Sequence, residues 1–379
     1  MTIATEHVPA KSRSERTRSF NVADFPQVNG REEEWRFTPV KKLTQLLTDE
    51  ESTAELAVSR ELPDGVDVSQ ISLDEARQLG VSAPEDLPAV IAATRAPSVT
   101  RYDIGEGVEL ASPAIITTEG ADSDSPVHNH TVVTVGANAS ATIVIKHTGH
   151  AQLSELLSVI VGPGARVKLV TLQLWDDDAV HLGQHDAVVG KDAQFTHIAI
   201  TLGGKIVRLN SNVSYDGPGG EAQMLGLYFA DAGQHLEHRT YVDHNTPNAT
   251  SDVLYKGALQ GKDARSVWIG DVLIRPEAKG IDTYELNRNL VLTEGARADS
   301  VPNLEIETGE IEGAGHASST GRFDEEHLFY LMSRGIDEKT ARRLVVRGFF
   351  NEVIQKIDIE QIEEVLTEQI EEELSRSVL

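Results

Sequence analysis

Short apolar runs dominate the middle of the chain, between about residues 101 and 310. In these runs Val, Ile, Leu and Thr alternate with polar residues, and glycine-bearing turns separate one run from the next. Such alternation with β-branched residues is typical of β-strands. The clearest predicted strands are Thr131–Val135, Thr142–Ile145, Arg166–Leu172 and Thr196–Thr201.

A weak repeat accompanies these strands. The pattern G-x-x-A begins at Gly136, Gly162, Gly190 and Gly261, and the first three copies start 26 and then 28 residues apart. A period of roughly 20–50 residues is typical of stacked repeats. Continuous short strands with tight turns favour a β-solenoid, and a β-sandwich with evenly spaced strands is the alternative. A solenoid exposes strand edges at its ends, which predicts capping or pairing with another chain.

The first region, residues 1–100, mixes helix and loop signals. Lys41–Leu47 is predicted to form a short amphipathic helix. Ser72–Leu79 has a serine cap and an acidic first turn, and Gly80 follows it, as expected of a complete helix.

The last region, residues 311–379, is predicted to be helical. One helix begins at Asp324, and a second begins at Asp337 and continues past Gly348 to Ile354. The tail then places one apolar stripe on an acidic helix, which either packs on its own domain or covers a partner. The stripe comprises Ile359, Ile362, Leu366, Ile370 and Leu374. The chain is therefore divided into three regions: 1–100, 101–310 and 311–379.

Charge and composition narrow the classes of function. The net charge of −26 opposes binding to a phosphate backbone or an anionic membrane. The N-terminus lacks the apolar core of a signal peptide and no apolar run is long enough to span a bilayer, so we expect a cytoplasmic protein. The chain has no cysteine, which excludes disulfides, thiolate metal sites and a cysteine nucleophile.

Motifs of catalytic classes are absent from the sequence: it has no phosphate-binding loop, no G-x-S-x-G elbow and no H-E-x-x-H helix. Some histidine pairs have spacings at which two imidazoles can meet a metal ion, although surface histidines with such spacings are common. These pairs are His128 with His130, His181 with His185, and His235 with His238. His316 lies in a stretch of small residues, 313–321, that is predicted to be a flexible junction. A partner can approach this imidazole closely, and neutral imidazole is a good ligand for iron.

The sequence from His238 to Ile354 resembles the SufB/SufD family of iron–sulfur cluster assembly proteins. An N-terminal segment, Glu33–Phe37, is similar to the E-E-W motif of the same family. The matching elements are His238–His244, Pro247, Ser251, Tyr255–Lys256, Gly270–Ile274, Asn287, Pro302–Ile306, Gly315–Gly321, Leu328–Ile336, Ala341 and Gly348–Phe349.

The resemblance implies a mainly β fold. Its core would be a right-handed parallel β-helix, with a small helical N-terminal region and a C-terminal helical subdomain. It also implies a non-catalytic scaffold that pairs with a SufB-like paralogue and docks a SufC-like ATPase. No tightly bound cofactor is implied, only a transient iron–sulfur cluster at the SufB interface.

Within the family, a SufB cysteine and a SufD histidine are the candidate cluster ligands, and the histidine falls on His316. A SufB subunit would carry the cysteine, so the absence of cysteine selects SufD. Ala314 stands where the family often has cysteine, Ala317 where it usually has glycine, and Glu285 where its Q-x-N segment has glutamine.

The resemblance places the ATPase on the helices between Asp324 and Ile354. The aromatic side chains among the candidate contacts have packing within the C-terminal region as their alternative role. The candidates are Phe329, Tyr330, Arg334, Gly335, Arg347, Phe349 and Phe350.

Two other functions are compatible with the pattern. One is a metal-dependent β-helix enzyme built on histidines such as His181 and His185. The other is a structural protein whose β-helix edges pair with each other, and a homodimer of the isolated chain is compatible with either the scaffold or this function.

Overall fold

The computed structural model describes residues 15–323 and 325–376, without the side chains of 325–327 and 375–376. The predicted helix cap at Asp324 therefore lies outside the described residues. Sixteen strands form one continuous, mostly parallel sheet that is wound into a solenoid, which confirms the β-helix prediction. The strands are β1 Ala57–Glu61, β2 Val66–Ile71, β3 Val99–Ile104, β4 Ala114–Val135, β5 Ser140–Val161, β6 Arg166–Trp175, β7 Val180–Gly190, β8 Gln194–Thr201, β9 Ile206–Asp216, β10 Glu221–Ala230, β11 His235–His244, β12 Thr250–Leu259, β13 Arg265–Ile274, β14 Asp282–Val291, β15 Arg297–Ile306 and β16 Gly313–Arg322.

Each coil of the solenoid contributes one strand to each of two faces. The even sheet contains β6, β8, β10, β12, β14 and β16, and the odd sheet contains β7, β9, β11, β13 and β15. The long strand β5 joins them, because its first half pairs with β6 and its second half with β7. Paired residues of successive coils lie 26 to 32 positions apart, which confirms the repeat.

The G-x-x-A turns set this register. Their third residue has a left-handed backbone, with φ of +57° at Asn138, +68° at Gly164, +54° at Asp192 and +63° at Asp263. Asn, Asp and Gly adopt this conformation at the lowest cost. The alanine that follows each turn is buried, so its small side chain lets the chain enter the next strand inside the core.

The N-terminal region covers the odd sheet. It contains helices α1 (Leu73–Gln78) and α2 (Leu87–Arg95) and several 3-10 turns. The Ser72 side chain accepts a hydrogen bond from the Glu75 backbone and completes a capping box, as the sequence indicates. The prediction of an amphipathic helix at Lys41–Leu47 is wrong, since this stretch forms two 3-10 turns. Its leucines nevertheless pack against α2 and the odd sheet.

Three C-terminal helices follow the last strand: α3 (Glu325–Ser333), α4 (Glu338–Ile354) and α5 (Glu360–Arg376). Asp337 caps α4, as predicted, by accepting a hydrogen bond from the Thr340 backbone. The apolar stripe of the tail packs on the outer face of the even sheet. Of the two roles left open for this stripe, covering its own domain is the one observed.

The predicted flexible junction at residues 313–321 is wrong, because these residues form β16 and pair in parallel with β14. Alternating small and polar residues without large β-branched side chains hide this strand from pattern analysis. The helices consequently begin at Glu325 and not near residue 311.

The two ends of the solenoid differ. At the capped end, β4 pairs with the short antiparallel strand β1 and with β3, and β3 pairs with β2. At the open end, the full-length strands β15 and β16 are the last of the odd and even sheets, and each pairs on one side only among the described residues.

Candidate functional site

The open end brings His316 together with Glu285. The two residues are directly opposite each other in the pairing of β16 with β14, and both side chains lie on the inward-facing side of the strands. Nδ1 of His316 lies 3.7 Å from Oε1 of Glu285. The imidazole is 41% exposed, whereas the carboxylate is fully buried.

Glu285 is an unusual group at this place. Neither of its carboxylate oxygens has a hydrogen-bond partner among the described residues. Burial, together with the neighbouring Asp271, raises the pKa of Glu285 to about 8. A Cβ atom at Gly270 would collide with this carboxylate and with the Trp268 ring, so glycine is needed to leave room for both.

A network of buried amides supports the same end. Nδ2 of Asn287 donates to the Tyr228 hydroxyl at 3.0 Å and to the Tyr255 carbonyl at 3.1 Å. The Tyr228 hydroxyl donates to Oδ1 of Asn289 at 2.7 Å, and Asn289 reaches Thr320 of β16 at 3.4 Å. These bonds tie the edge strand to the interior and hold the neighbourhood of His316 in place.

Two groups of rings lie in the interior of the solenoid. One group begins next to this site and the other lies closer to the capped end, and within each group neighbouring rings are in contact. The centroid distances are 6.3 Å for Trp268 with Tyr255, 5.7 Å for Tyr255 with His238, 5.1 Å for His238 with Tyr228, and 5.5 Å for His197 with His185.

Only one of the three histidine pairs converges on a carboxylate. His181 and His185 flank Gly183 on β7, and Gly183 pairs in register with Glu155 of β5. Both imidazoles reach Glu155, where His147 joins them. Burial lowers the pKa of His181 to about 4, and Glu155 opposes this shift.

The other two pairs do not form sites. His128 bonds to Ser154 through Nδ1 at 2.6 Å, while the buried ring of His130 has no hydrogen-bond partner among the described residues. His235 contacts Glu237 on the outer side of the odd sheet, and His238 points inward and stacks on a tyrosine. Neighbouring strand positions face opposite sides, so the spacing of this last pair separates its rings.

The candidate docking residues fall into two groups. Phe329 and Tyr330 of α3 are 74% and 56% exposed, and the Arg334 guanidinium lies over the Tyr330 ring at 5.2 Å. Arg347 and Gly335 are also exposed. These residues are accessible to a partner, and their docking role stays a prediction.

The second group faces the solenoid. Phe350 is fully buried against the even sheet, which is the packing role, so it offers no surface to a partner. Phe349 is partly buried next to it, and Nζ of Lys256 lies 5.2 Å from its ring centre. The same ammonium forms an ion pair with Glu352 at 2.5 Å and donates to the Phe349 carbonyl at 3.0 Å, which fixes α4 on the sheet.

The segment that resembles the E-E-W motif has a structural role. The Trp35 ring is buried, and the guanidinium of Arg208 lies 3.9 Å from its centre. Arg208 also pairs with Asp86 at 2.6 Å and with Glu237 at 3.3 Å. The motif therefore attaches the N-terminal region to the odd sheet.

Comparison with known proteins agrees with this architecture. Residues 116–349 match the family model described as the SUF system FeS cluster assembly, SufBD core domain. An iron-sulfur cluster assembly SufBD family protein of Mycobacterium leprae is 49% identical over 94% of this chain and 93% of its own length. One of Mycobacterium bovis is 46% identical over 99% and 96%. A second such protein of M. leprae is 28% identical over 56% of this chain and 24% of its own length.

Proposed function

The chain belongs to the SufBD family of iron–sulfur cluster assembly proteins, and we propose that within this family it is the SufD-like, non-catalytic scaffold subunit. The observation that carries the proposal is the open end, where an accessible imidazole lies beside a buried carboxylate on a free strand edge. A chain without cysteine cannot supply a thiolate ligand. The sulfur ligand of a transient cluster would therefore come from a second subunit.

The second subunit in this proposal is a SufB-like paralogue that pairs with β15 and β16. Full-length parallel edge strands present unpaired backbone donors and acceptors, and an added strand satisfies them. The match of two SufBD family proteins in one organism, M. leprae, supports pairing between paralogues. The thiolate of the partner would then meet His316 across the new strand pair, next to the buried carboxyl group of Glu285.

The third subunit in this proposal is a SufC-like ATPase that docks on α3. Phe329 and Tyr330 project from this helix, and Met332 of the same helix and Leu344 of α4 are also exposed. Exposed apolar patches on otherwise charged helices are typical of docking surfaces. Because α4 and α5 are packed on the even sheet, movement of the helices by the ATPase would act on the coils that lead to the open end.

The test is coexpression of the chain with a SufB-like paralogue and a SufC-like ATPase. His316→Ala should leave all three subunits in one complex and lower the cluster content, measured by visible absorption and iron analysis. Phe329→Ala with Tyr330→Ala should lose the ATPase from pull-downs and retain the paralogue. Val68→Ala, at an exposed valine of the capped end, is the matched control and should change neither result.

Point substitutions are preferable to deletion of the helices. Removal of α4 and α5 would uncover the apolar outer face of the even sheet, and the loss of ATPase binding would then also follow from misfolding. An unchanged cluster content in His316→Ala would remove the imidazole from the mechanism. ATPase binding that survives the double substitution would place the docking site elsewhere.

Self-association through the open end is the second candidate function, since the edge that would receive a paralogue is equally suited to a copy of this chain. It predicts a homodimer that persists in the presence of the paralogue. Sedimentation of the mixed subunits distinguishes the two, because the scaffold proposal requires the heterodimer to replace the homodimer.

A further inference from the structure

A buried carboxylate near the capped end is surrounded by three imidazoles. Oε2 of Glu155 lies 3.4 Å from Nε2 of His147, 3.3 Å from Nε2 of His181 and 3.3 Å from Nε2 of His185. All four side chains are buried inside the solenoid. Ligand atoms of Glu155, His147 and His181 all lie within 4.8 Å of one another.

The charge of this centre needs a positive counterpart. A buried carboxylate is strongly unfavourable unless a cation pairs with it. Among the described residues, the ion-pair contacts of Glu155 are with these three histidines, which carry charge only when they are protonated. A metal ion between these side chains would neutralise the carboxylate, and a protonated imidazole is the alternative that the experiments below distinguish.

The surrounding hydrogen bonds favour a metal ion at His147. The Thr118 hydroxyl lies 3.4 Å from the Lys146 carbonyl, to which it donates, so it accepts the 2.6 Å bond from Nδ1 of His147. With Nδ1 as the donor of this bond, Nε2 of His147 can present its lone pair to a metal ion beside Oε2 of Glu155, which lies 3.4 Å away. Nδ2 of Asn129 binds the other carboxylate oxygen at 3.2 Å, which fixes the direction of Oε2. Such outer contacts orient ligands in metal sites.

The distances fit a tetrahedral ion. With metal–ligand bonds of about 2.0–2.2 Å, neighbouring ligand atoms lie about 3.3–3.6 Å apart. The distances from Oε2 of Glu155 to Nε2 of His147 and to Nε2 of His181 fall in this range. Imidazole nitrogen with one carboxylate oxygen is a donor set that suits Zn²⁺ and Fe²⁺.

We propose that Glu155, His147 and His181 bind one divalent transition-metal ion of the Zn²⁺ or Fe²⁺ class inside the solenoid. His185, whose Nε2 is hydrogen-bonded to Oε2 of Glu155 at 3.3 Å, orients the carboxylate from outside the set of ligands. Because the three ligands are buried and come from β5 and β7, the ion would link these two strands and stabilise the solenoid. It is separate from the transient cluster at His316, which lies on the last strand, and it does not depend on the proposed function. It departs from the expectation that the chain holds no tightly bound cofactor.

His181 is the adjustable ligand. Nε1 of Trp175 lies 3.3 Å from Nδ1 of His181 and donates to it. A metal ion on Nε2 leaves the proton of this imidazole on Nδ1, where it would oppose the indole N–H. Metal binding therefore requires the rings of His181 and Trp175 to move apart. As a result, His181 contributes less to metal affinity than His147 or Glu155.

The first experiment measures metal in the purified full-length chain. Elemental analysis, before and after incubation with Zn²⁺ and desalting, should give one ion per chain. Co²⁺ in place of Zn²⁺ should produce the intense visible bands of a tetrahedral site. Glu155→Gln and His147→Gln should bind at least about tenfold more weakly, and His181→Gln should be affected less.

The controls separate this site from the open end and from general damage to the interior. His316→Ala should retain the full metal content. His244→Gln alters another buried histidine, which bonds to Ser251 at 2.9 Å, and should retain it as well. Loss of metal in His316→Ala with retention in Glu155→Gln would overturn this proposal and would favour the proposed role of the open end.

The wild-type chain keeps the proposal testable if a variant fails to fold. Removal of the ion with a chelator should lower the melting temperature, and Zn²⁺ should restore it. A wild-type chain that takes up neither Zn²⁺, Fe²⁺ nor Co²⁺ in stoichiometric amount, and melts at the same temperature with and without chelator, would show that a proton neutralises Glu155.

Discussion

The two ends of the solenoid are built from the same coil and finished differently. At the capped end the edge strands are short, antiparallel and largely exposed, and α1, α2 and the 3-10 turns pack around the first coils. At the open end β15 and β16 are ten residues long, and the described structure adds no further strand to either. Short, charged edges suppress strand addition, whereas long regular edges permit it.

The difference between the two ends indicates that one end stabilises the fold and the other binds partners. Near the capped end, buried apolar residues and ion pairs hold the chain together. The open end has small and polar residues on β16 and half-buried residues on β15. Substitutions near the capped end should therefore change the free energy of unfolding, and substitutions at the open end should change partner binding.

The largest effect is expected for a pair of isoleucine truncations. Ile91 of α2 is fully buried, whereas Ile306 of β15 is 45% exposed. Ile91→Ala should lower the free energy of unfolding by about 2–5 kcal/mol because it leaves a cavity. Ile306→Ala should change it by no more than about 1 kcal/mol and weaken binding of the paralogue. Urea denaturation measures the first quantity and sedimentation the second, and equal destabilisation by both would remove the distinction between the ends.

The second-largest effect on stability is expected from low pH, through protonation of His130 of β4. Burial lowers the pKa of His130 to about 4, below the value of about 6.5 in the unfolded chain. Between these values the unfolded chain binds more protons, so the contribution of this residue to stability is complete above about pH 6.5 and is lost as the pH falls towards 4. From pH 7 to pH 5, the free energy of unfolding should fall by about 2 kcal/mol more in the wild type than in His130→Phe. An identical pH dependence of the two proteins in urea would contradict the assignment.

The smallest effect on stability is expected from proline on the open edge. The Phe323 N–H donates to the Val291 carbonyl, so alternation along β16 directs the N–H groups of Ser318 and Thr320 away from β14. Ser318→Pro should change the stability of the isolated chain by no more than about 1 kcal/mol and reduce assembly with the paralogue. Ser319→Pro, the matched control, removes an N–H that pairs with β14 and should destabilise the chain itself. Assembly that is unaffected by Ser318→Pro would show that the partner does not add a strand to this edge.

The sequence predicted the solenoid because each coil repeats a local signal. The turn glycines and alanines, the β-branched runs and the caps at Ser72 and Asp337 are all decided by nearby residues. The strand β16 was missed because its regularity comes from pairing with β14 and not from its own composition.

The candidate sites depend on contacts between coils, which a single sequence hides. Glu155 precedes His181 and His185 by about one coil, and Glu285 precedes His316 by about one coil. Once the repeat length of about one coil was known, a search for carboxylates one repeat before a histidine would have found Glu155 and Glu285. The substitution at Glu285, which the sequence showed only as a departure from the family pattern, is the neighbour of His316.

Successive coils pair in parallel and in register, so the solenoid grows by a fixed distance with each coil. Each added coil would displace the last strand by one strand spacing, about 4.8 Å, while α4 and α5 stay attached to the even sheet through residues of earlier coils, such as Lys168 and Lys256. The number of coils thus sets how far the imidazole at the tip stands from the helical platform. In a relative with one more coil, the partners would have to span a distance between the imidazole and the helices that is longer by one strand spacing.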